Sequence, residues 1–246
     1  MTPWYSEDGD GDPIVLLHGG LSDSTAWGSQ TPALAERHKV FLFDRRGHGK
    51  TADTDAPFSY DEMGAETIAF LEEVVGGPAA LVGWSDGGIV ALFVSMKRPD
   101  LVPRQVLIGA SFHYDGTVPG FDPGDDPEGE DAAVFEAMYK VAAVDPSHWP
   151  VFYAKTLRLW REEPTLTVDD VATVSVPTLV LAGDDEAIRL EHTVAMYEAL
   201  PDGELGIVPG TSHVLTMEKP DIVNRLILDY LSETGPPLTM MPIRRA

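Results

Sequence analysis

The chain has 246 residues, no cysteine, 43% hydrophobic residues and a formal net charge of −23, from 17 basic against 40 acidic side chains. The missing cysteines exclude disulfides, thiolate catalysis and cysteine-based metal sites. The charge argues against a nucleic-acid partner and fits an acidic solvated surface, while the length suits one large α/β domain with a substantial core. The start, Met1–Asp8, lacks the basic stretch and apolar core of a signal peptide. No apolar run approaches the ~20 residues that span a bilayer, so the expectation is a cytoplasmic protein with no membrane partner.

Residues 1–12 are polar and acidic, a lead-in with at most one edge strand. Pro13 to Leu17 is a continuous apolar run of the kind found in parallel sheets, buried on both faces, and it ends in His18-Gly19-Gly20-Leu21. A helix over 30–37 leads to a second apolar strand, Lys39 to Phe43, and then to the loop Asp44-Arg45-Arg46-Gly47-His48-Gly49. Asp61 to Val75 has helical spacing closed by Gly76-Gly77-Pro78. The run Ala79 to Val82 follows, then Gly83-Trp84-Ser85-Asp86-Gly87-Gly88, a helix from Gly87 to Lys97, and a strand at Gln105 to Gly109. This alternation predicts a mostly parallel, doubly wound α/β sheet.

Residues 111–175 break the rhythm with a Gly/Pro/Asp-rich loop and then a helical, aromatic stretch; an excursion of that length reads as a helical lid. The strand Pro177 to Ala182 restores the pattern and ends in Gly183-Asp184-Asp185-Glu186. A helix (Leu190 to Ala199), a strand (Glu204 to Val208), the loop Pro209-Gly210-Thr211-Ser212-His213 and a last helix near Lys219 to Ser232 complete it. The expected organisation is a core of 1–110 and 176–234, a lid of 111–175 inserted after the sixth strand, and a frayed tail, 235–246.

Gly83 to Gly87 is G-x-S-x-G between a strand and a helix, the context in which that pattern carries meaning. A serine hydroxyl is a weak nucleophile and must be held exposed beside a base. A sharp turn does this, and it places the Asp86 N–H at a helix start, where it can donate to a developing oxyanion. His213, in the loop after the last strand, is the candidate base. His18 and His48 read as structural hydrogen-bonders, His38 and His192 belong to helical patterns, and His113 and His148 belong to the lid. The orienting acid is one of Asp184, Asp185 and Glu186, with Asp115 a further possibility. The order Ser…acid…His, each at a strand's C-terminal end, matches one arrangement of acyl-transfer triad. Trp27, Trp149, Phe152 and Trp160 are the candidates to line an apolar pocket, although packing of the lid onto the sheet is the favoured reading for any one of them. No calcium-loop spacing, P-loop or Gly-x-Gly-x-x-Gly is present, so no metal, nucleotide or other cofactor is expected.

These motifs resemble the α/β-hydrolase fold superfamily over roughly residues 13 to 232. His18-Gly19-Gly20 resembles its oxyanion turn and Asp44-Arg45-Arg46-Gly47-His48-Gly49 its D-x-R-G-x-G loop, while Gly83 to Gly88 is similar to the elbow of the valacyclovir hydrolase and biphenyl hydrolase-like serine esterases. The resemblance puts the acid at Glu186, where the family usually has aspartate, with Asp184 and Asp185 in reserve. It implies oxyanion donors at Asp86 and at Gly20 or Leu21. It also implies that the Asp86 side chain receives an ammonium group of the substrate, against the plainer reading of a carboxylate favoured by the helix dipole. The function expected is hydrolysis of a small carboxylic ester or lactone through an acyl-enzyme. Carbon–carbon bond hydrolysis and perhydrolysis are same-fold alternatives, and a non-catalytic small-molecule binder is the alternative of another class.

Overall fold

The computed structural model describes residues 2–121, 124–232, 235 and 239–241. Among the described residues, seven strands form one sheet in the order β1-β3-β2-β4-β5-β6-β7. They are β1 (Tyr5–Asp8), β2 (Asp12–Leu17), β3 (His38–Phe43), β4 (Ala80–Trp84), β5 (Gln105–Ile108), β6 (Thr178–Asp185) and β7 (Gly203–Ser212). Only β1 runs antiparallel, as an edge strand on β3; the other neighbours are parallel.

The apolar runs are buried on both faces because alternate side chains serve different helix layers. Val15, Leu17, Phe41, Phe43, Leu81, Leu107 and Val180 pack with helices α2 (Tyr60–Phe70), α3 (Asp86–Lys97) and, further along the chain, α7 (Leu190–Ala199). Ile14, Leu16, Val40, Leu42, Val82, Val106, Ile108 and Leu181 pack on the other face with α1 (Thr31–Ala35) and α9 (Pro220–Leu231). Between α7 and α9 lies the short α8 (Leu215–Glu218). Helix α2 runs on as a π turn over Leu71–Val75, and Gly76 in the left-handed region ends it (φ 84°).

The segment between β5 and β6 holds α4 (Glu130–Ala142), α5 (Trp149–Glu162) and the short α6 (Val168–Val171). The helical insert therefore follows the fifth strand rather than the sixth, since β1, β2, β3, β4 and β5 precede it. Its aromatic residues Trp149, Phe152 and Tyr153 are buried in the same cluster as α2 and α3. Trp149 and Tyr139 lie 5.5 Å apart, ring to ring, and Tyr139 stacks on Phe152 at 4.6 Å. A polar anchor adds to this packing: Asp53 accepts from Lys155 Nζ at 2.6 Å and pairs with His148 Nε2 at 2.9 Å, both from the insert.

Most of the tail expected to fray, 235–246, lies outside the described residues, as do residues 122 and 123 of the acidic loop. Among the described residues no helix is long and apolar enough to cross a membrane.

Candidate active site

The sheet order sets the place. From β2 the chain winds to β3 on one side and later returns to β4 on the other, so the connections leave the C-terminal ends of β2 and β4 in opposite directions. Crevices at such switch points are where doubly wound sheets bind ligands. Here the crevice lies between the His18–Leu21 turn after β2 and the Ser85 turn after β4.

Ser85 has φ 56° and ψ −122°, a conformation that side chains rarely adopt. Its N–H donates to Ile108 O at 2.8 Å, and the N–H groups of Gly88 and Ile89 donate back to Ser85 O. The flanking glycines permit the turn by close approach: a Cβ on Gly87 would overlap the Leu17 carbonyl, and one on Gly83 would overlap the Gly87 carbonyl. The consequence is a serine fixed at the start of α3, with the Asp86 N–H beside it in the first helical turn.

The loop after β7 carries His213 over the sheet. His213 Nε2 lies 2.9 Å from Ser85 Oγ, and its Nδ1 makes a short contact with Glu186 Oε1. Trp84 Nε1 donates to His213 O at 2.8 Å, so the residue before the serine also holds the histidine. Glu186 is almost fully buried. It accepts the Ala187 N–H at 2.8 Å and the Gly183 N–H at 3.4 Å. Burial pushes its pKa up, but the hydrogen bond and charge of His213, with these amides, outweigh that and leave it below the usual glutamate value. A carboxylate anion at Nδ1 fixes the tautomer in which Nε2 is free to accept a proton from Ser85.

Asp184 and Asp185 are exposed and take no part in that contact. Asp184 accepts the amides of Gly210 and Thr211, at 2.6 and 3.1 Å, and so braces the histidine loop. Asp185 pairs with Ser212 in the β6–β7 ladder. The β6–β7 register shifts between Gly183 and Asp185, next to Glu186. Asp115 pairs with His113 at 2.8 Å instead.

The turn after β2 is locked from below. The Arg45 guanidinium, 1% exposed, donates from Nη1 to His18 O and from Nη2 to Gly19 O at 3.1 Å. Arg45 N–H donates to His18 Nε2 at 3.2 Å. Burial and the Arg45 charge hold the His18 imidazole well below its usual pKa, hence neutral. Leu21 stands at φ 50° at the end of the turn.

The Asp86 side chain is buried against the insert. Oδ1 accepts from Tyr60 Oη at 2.9 Å and from Trp160 Nε1 at 2.9 Å, and Oδ2 lies 3.1 Å from the same indole nitrogen. Burial raises its pKa, opposed by Arg45 and these donors. An ammonium group would have to replace Trp160 as donor; in this structure the carboxylate pins α5 to the elbow. The Trp160 ring in turn covers the turn, since a Cβ on Gly20 would lie 2.6 Å from Trp160 Cζ2.

The other aromatic candidates are placed elsewhere. Trp27 is 1% exposed and packs with the α1 and α9 layer on the opposite face of the sheet, so it offers no surface to a ligand. Trp149 and Phe152 are equally buried, within the insert's own packing. Large apolar side chains gain most by complete burial, which took these three into cores. Phe121, in the Gly/Pro/Asp-rich loop, instead reaches the histidine: the residue is 45% exposed and its ring lies 5.8 Å from that of His213. Sequence reasoning also missed Arg45 and Tyr60. Arg45 stands at the unspecified second position of the D-x-R-G-x-G loop, whose own arginine is Arg46, so the motif gave no signal for it; nothing in a helix-start tyrosine distinguishes Tyr60.

A model of the alpha/beta hydrolase family matches residues 14–226. Among curated relatives, the 2-hydroxy-6-oxo-6-(2'-aminophenyl)hexa-2,4-dienoic acid hydrolase of Metapseudomonas resinovorans is 28% identical, over 93% of this chain and 87% of that protein. The non-heme haloperoxidase of Rhodococcus erythropolis is 27% identical over 93% and 95%. Among solved structures, the meta-cleavage product hydrolase from Pseudomonas fluorescens IP01 superposes with a TM-score of 0.82 over 94% of both chains at 21% identity, a likeness of fold. With the strand–serine–helix turn, the parallel sheet and the family match extending over most of its length, the chain belongs to the alpha/beta hydrolase family.

Proposed function

We propose that this hydrolase cleaves a carboxylic ester or lactone through an acyl-enzyme, with Ser85 as nucleophile, His213 as base and Glu186 as the orienting acid. The observation that carries the reading is the unbroken line from Glu186 Oε1 to His213 Nδ1 and from His213 Nε2 to Ser85 Oγ, the last at 2.9 Å. Ser85 Oγ bonds to the carbonyl carbon while its proton passes to His213 Nε2. The carbonyl oxygen takes the negative charge and faces the amides of Asp86 and of Gly20 or Leu21. The imidazolium then gives its proton to the leaving alkoxide, and the alcohol departs. A water loses a proton to Nε2 and its oxygen bonds to the acyl carbon; the proton returns to Ser85 as the acid leaves. These steps need only substrate and water. Glu186 stays ionised throughout and stabilises the imidazolium.

Trp160 over the Gly20 turn and Phe121 beside His213 are the side chains positioned to meet substrate. The likeness to the dienoic acid hydrolase supports a second reading, in which the same triad breaks a carbon–carbon bond. The likeness to the haloperoxidase supports one in which peroxide replaces water in the second half-reaction.

The test is turnover of p-nitrophenyl esters and lactones by the wild type and by Ser85→Ala. Expected is loss of turnover with the variant. Undiminished turnover by Ser85→Ala would refute Ser85 as nucleophile, and no turnover on any ester or lactone by the wild type would favour a non-catalytic binder.

A further inference from the structure

We infer that Arg45 is a positioning residue for the oxyanion hole, acting through the peptide that links Gly19 to Gly20. This rests on the acyl-transfer reading of Ser85 and adds to it a charged group that does not itself touch the substrate.

Arg45 is the second residue after β3, and its guanidinium lies under the turn that follows the neighbouring strand β2. One Nη donates to the His18 carbonyl and the other to the Gly19 carbonyl. Those carbonyls belong to the peptide units whose N–H groups are those of Gly19 and Gly20. A carbonyl that accepts a hydrogen bond from a cation draws electron density through its amide and makes the N–H of that same unit a stronger donor. Of the two amides expected to complete the hole, Gly20's belongs to a unit that Arg45 polarises. Leu21's belongs to the Gly20 unit, and the guanidinium bonds go to His18 O and Gly19 O instead, so the geometry favours Gly20 as donor.

The arrangement also holds a turn that resists its own shape. Leu21 stands in the left-handed region at φ 50°, and Ser85 faces it across the crevice at φ 56°. Strained backbone of this kind persists when its surroundings over-determine it. The His18 imidazole does the same from the side, Nε2 accepting from Arg45 N–H and Nδ1 lying 2.7 Å from Gly19 O.

Burying a guanidinium is costly unless it is compensated. Compensation comes through space from the charge of Asp86, which is itself held by Tyr60 and Trp160. Arg45 Nε has no hydrogen-bond partner among the described residues, so the fork is committed to the turn at the expense of its own satisfaction. A positive charge beneath the hole gains most when negative charge appears above it, in the tetrahedral intermediate.

The experiment compares wild type with Arg45→Gln and Arg45→Lys. It measures kcat and KM on p-nitrophenyl acetate, and inhibition by a trifluoromethyl ketone, which forms an oxyanion adduct on a reactive serine. Arg45→Gln is expected to lower kcat roughly 10- to 100-fold, to change KM less than about threefold, and to weaken the ketone by the same factor as kcat. Arg45→Lys keeps the charge but lacks the fork, and is expected to recover part of both losses. The Gly20 amide proton resonance is expected to move upfield in the Lys variant. A folded Arg45→Gln with unchanged kcat would overturn the inference, as would a kcat loss that leaves the ketone's affinity unchanged. If Arg45→Gln does not fold, Arg45→Lys decides: wild-type kcat together with an unmoved Gly20 amide overturns it. Fluorophosphonate labelling of wild-type Ser85 separates the two levels. No labelling refutes the hydrolase reading; labelling with insensitive Arg45 variants refutes only the role of Arg45.

Discussion

Replacing Glu186 by glutamine keeps the side chain's size and removes its charge. Two effects follow from its surroundings. Glu186 is buried beside His213, and a unit charge pair about 4 Å apart contributes about 4 kcal/mol at an effective dielectric of ~20. That contribution to the imidazolium formed in the transition state disappears. The amide also offers an N–H donor as readily as an acceptor at Nδ1, where the ring must itself donate. With the amide N–H there, the imidazole proton moves to Nε2, and the base can no longer accept from Ser85. Together these predict a fall in kcat of roughly 10^3- to 10^4-fold, or about 4–5 kcal/mol. KM for a p-nitrophenyl ester should change little, because Glu186 does not touch the acyl group. The assay is steady-state turnover at pH 8, with fold checked by circular dichroism. Asp184→Asn is the control: it loosens the amides of Gly210 and Thr211 and should lower the melting temperature while leaving kcat within about tenfold. A folded Glu186→Gln enzyme within tenfold of wild type, or an Asp184→Asn enzyme with the larger kcat loss, would refute the assignment of the acid.

Gly87→Ala should destabilise the chain by at least about 3 kcal/mol, since the new Cβ overlaps the Leu17 carbonyl rather than a movable side chain; urea denaturation measures it, and a loss below 1 kcal/mol would mean that the elbow relaxes. Acid should unfold the protein well above the carboxylate range. Burial holds His18 well below its usual pKa, His48 down to about 3 and His192 down to about 4, so these rings stay neutral when folded but bind protons when unfolded. Stability should therefore fall as pH drops below 6.5, by up to about 1.4 kcal/mol per pH unit for each ring, and flatten only near the folded values. Melts between pH 8 and 5 test this, and His48→Gln should shallow the slope unless the histidines are not its source. Asp53→Asn should release the insert, because Lys155 and His148 lose their shared carboxylate; limited proteolysis should then cut first within 111–175, and an unchanged digestion pattern would show that aromatic packing alone holds it.

What the sequence determined by itself is local and periodic. Continuous apolar runs such as Pro13 to Leu17 read as parallel strands covered on both faces, and G-x-S-x-G between strand and helix reads as a sharp turn with its serine raised. The order of Ser85, an acid among Asp184, Asp185 and Glu186, and His213 follows from the same strand-end logic, while the choice of Glu186 came from the family resemblance. Tertiary structure decided where side chains far apart in the chain meet. Three adjacent carboxylates look alike in sequence; in the fold Glu186 meets His213 Nδ1 while Asp184 accepts the amides of the histidine loop. Trp27 and Trp160 are both candidate aromatics until packing buries one behind the sheet and hangs the other from Asp86 over Gly20. Arg45 reads as a loop cation until its guanidinium is found beneath the turn of another strand, 26 residues away in sequence. Such roles depend on burial and on a partner's direction, neither of which a residue's neighbours in the chain record.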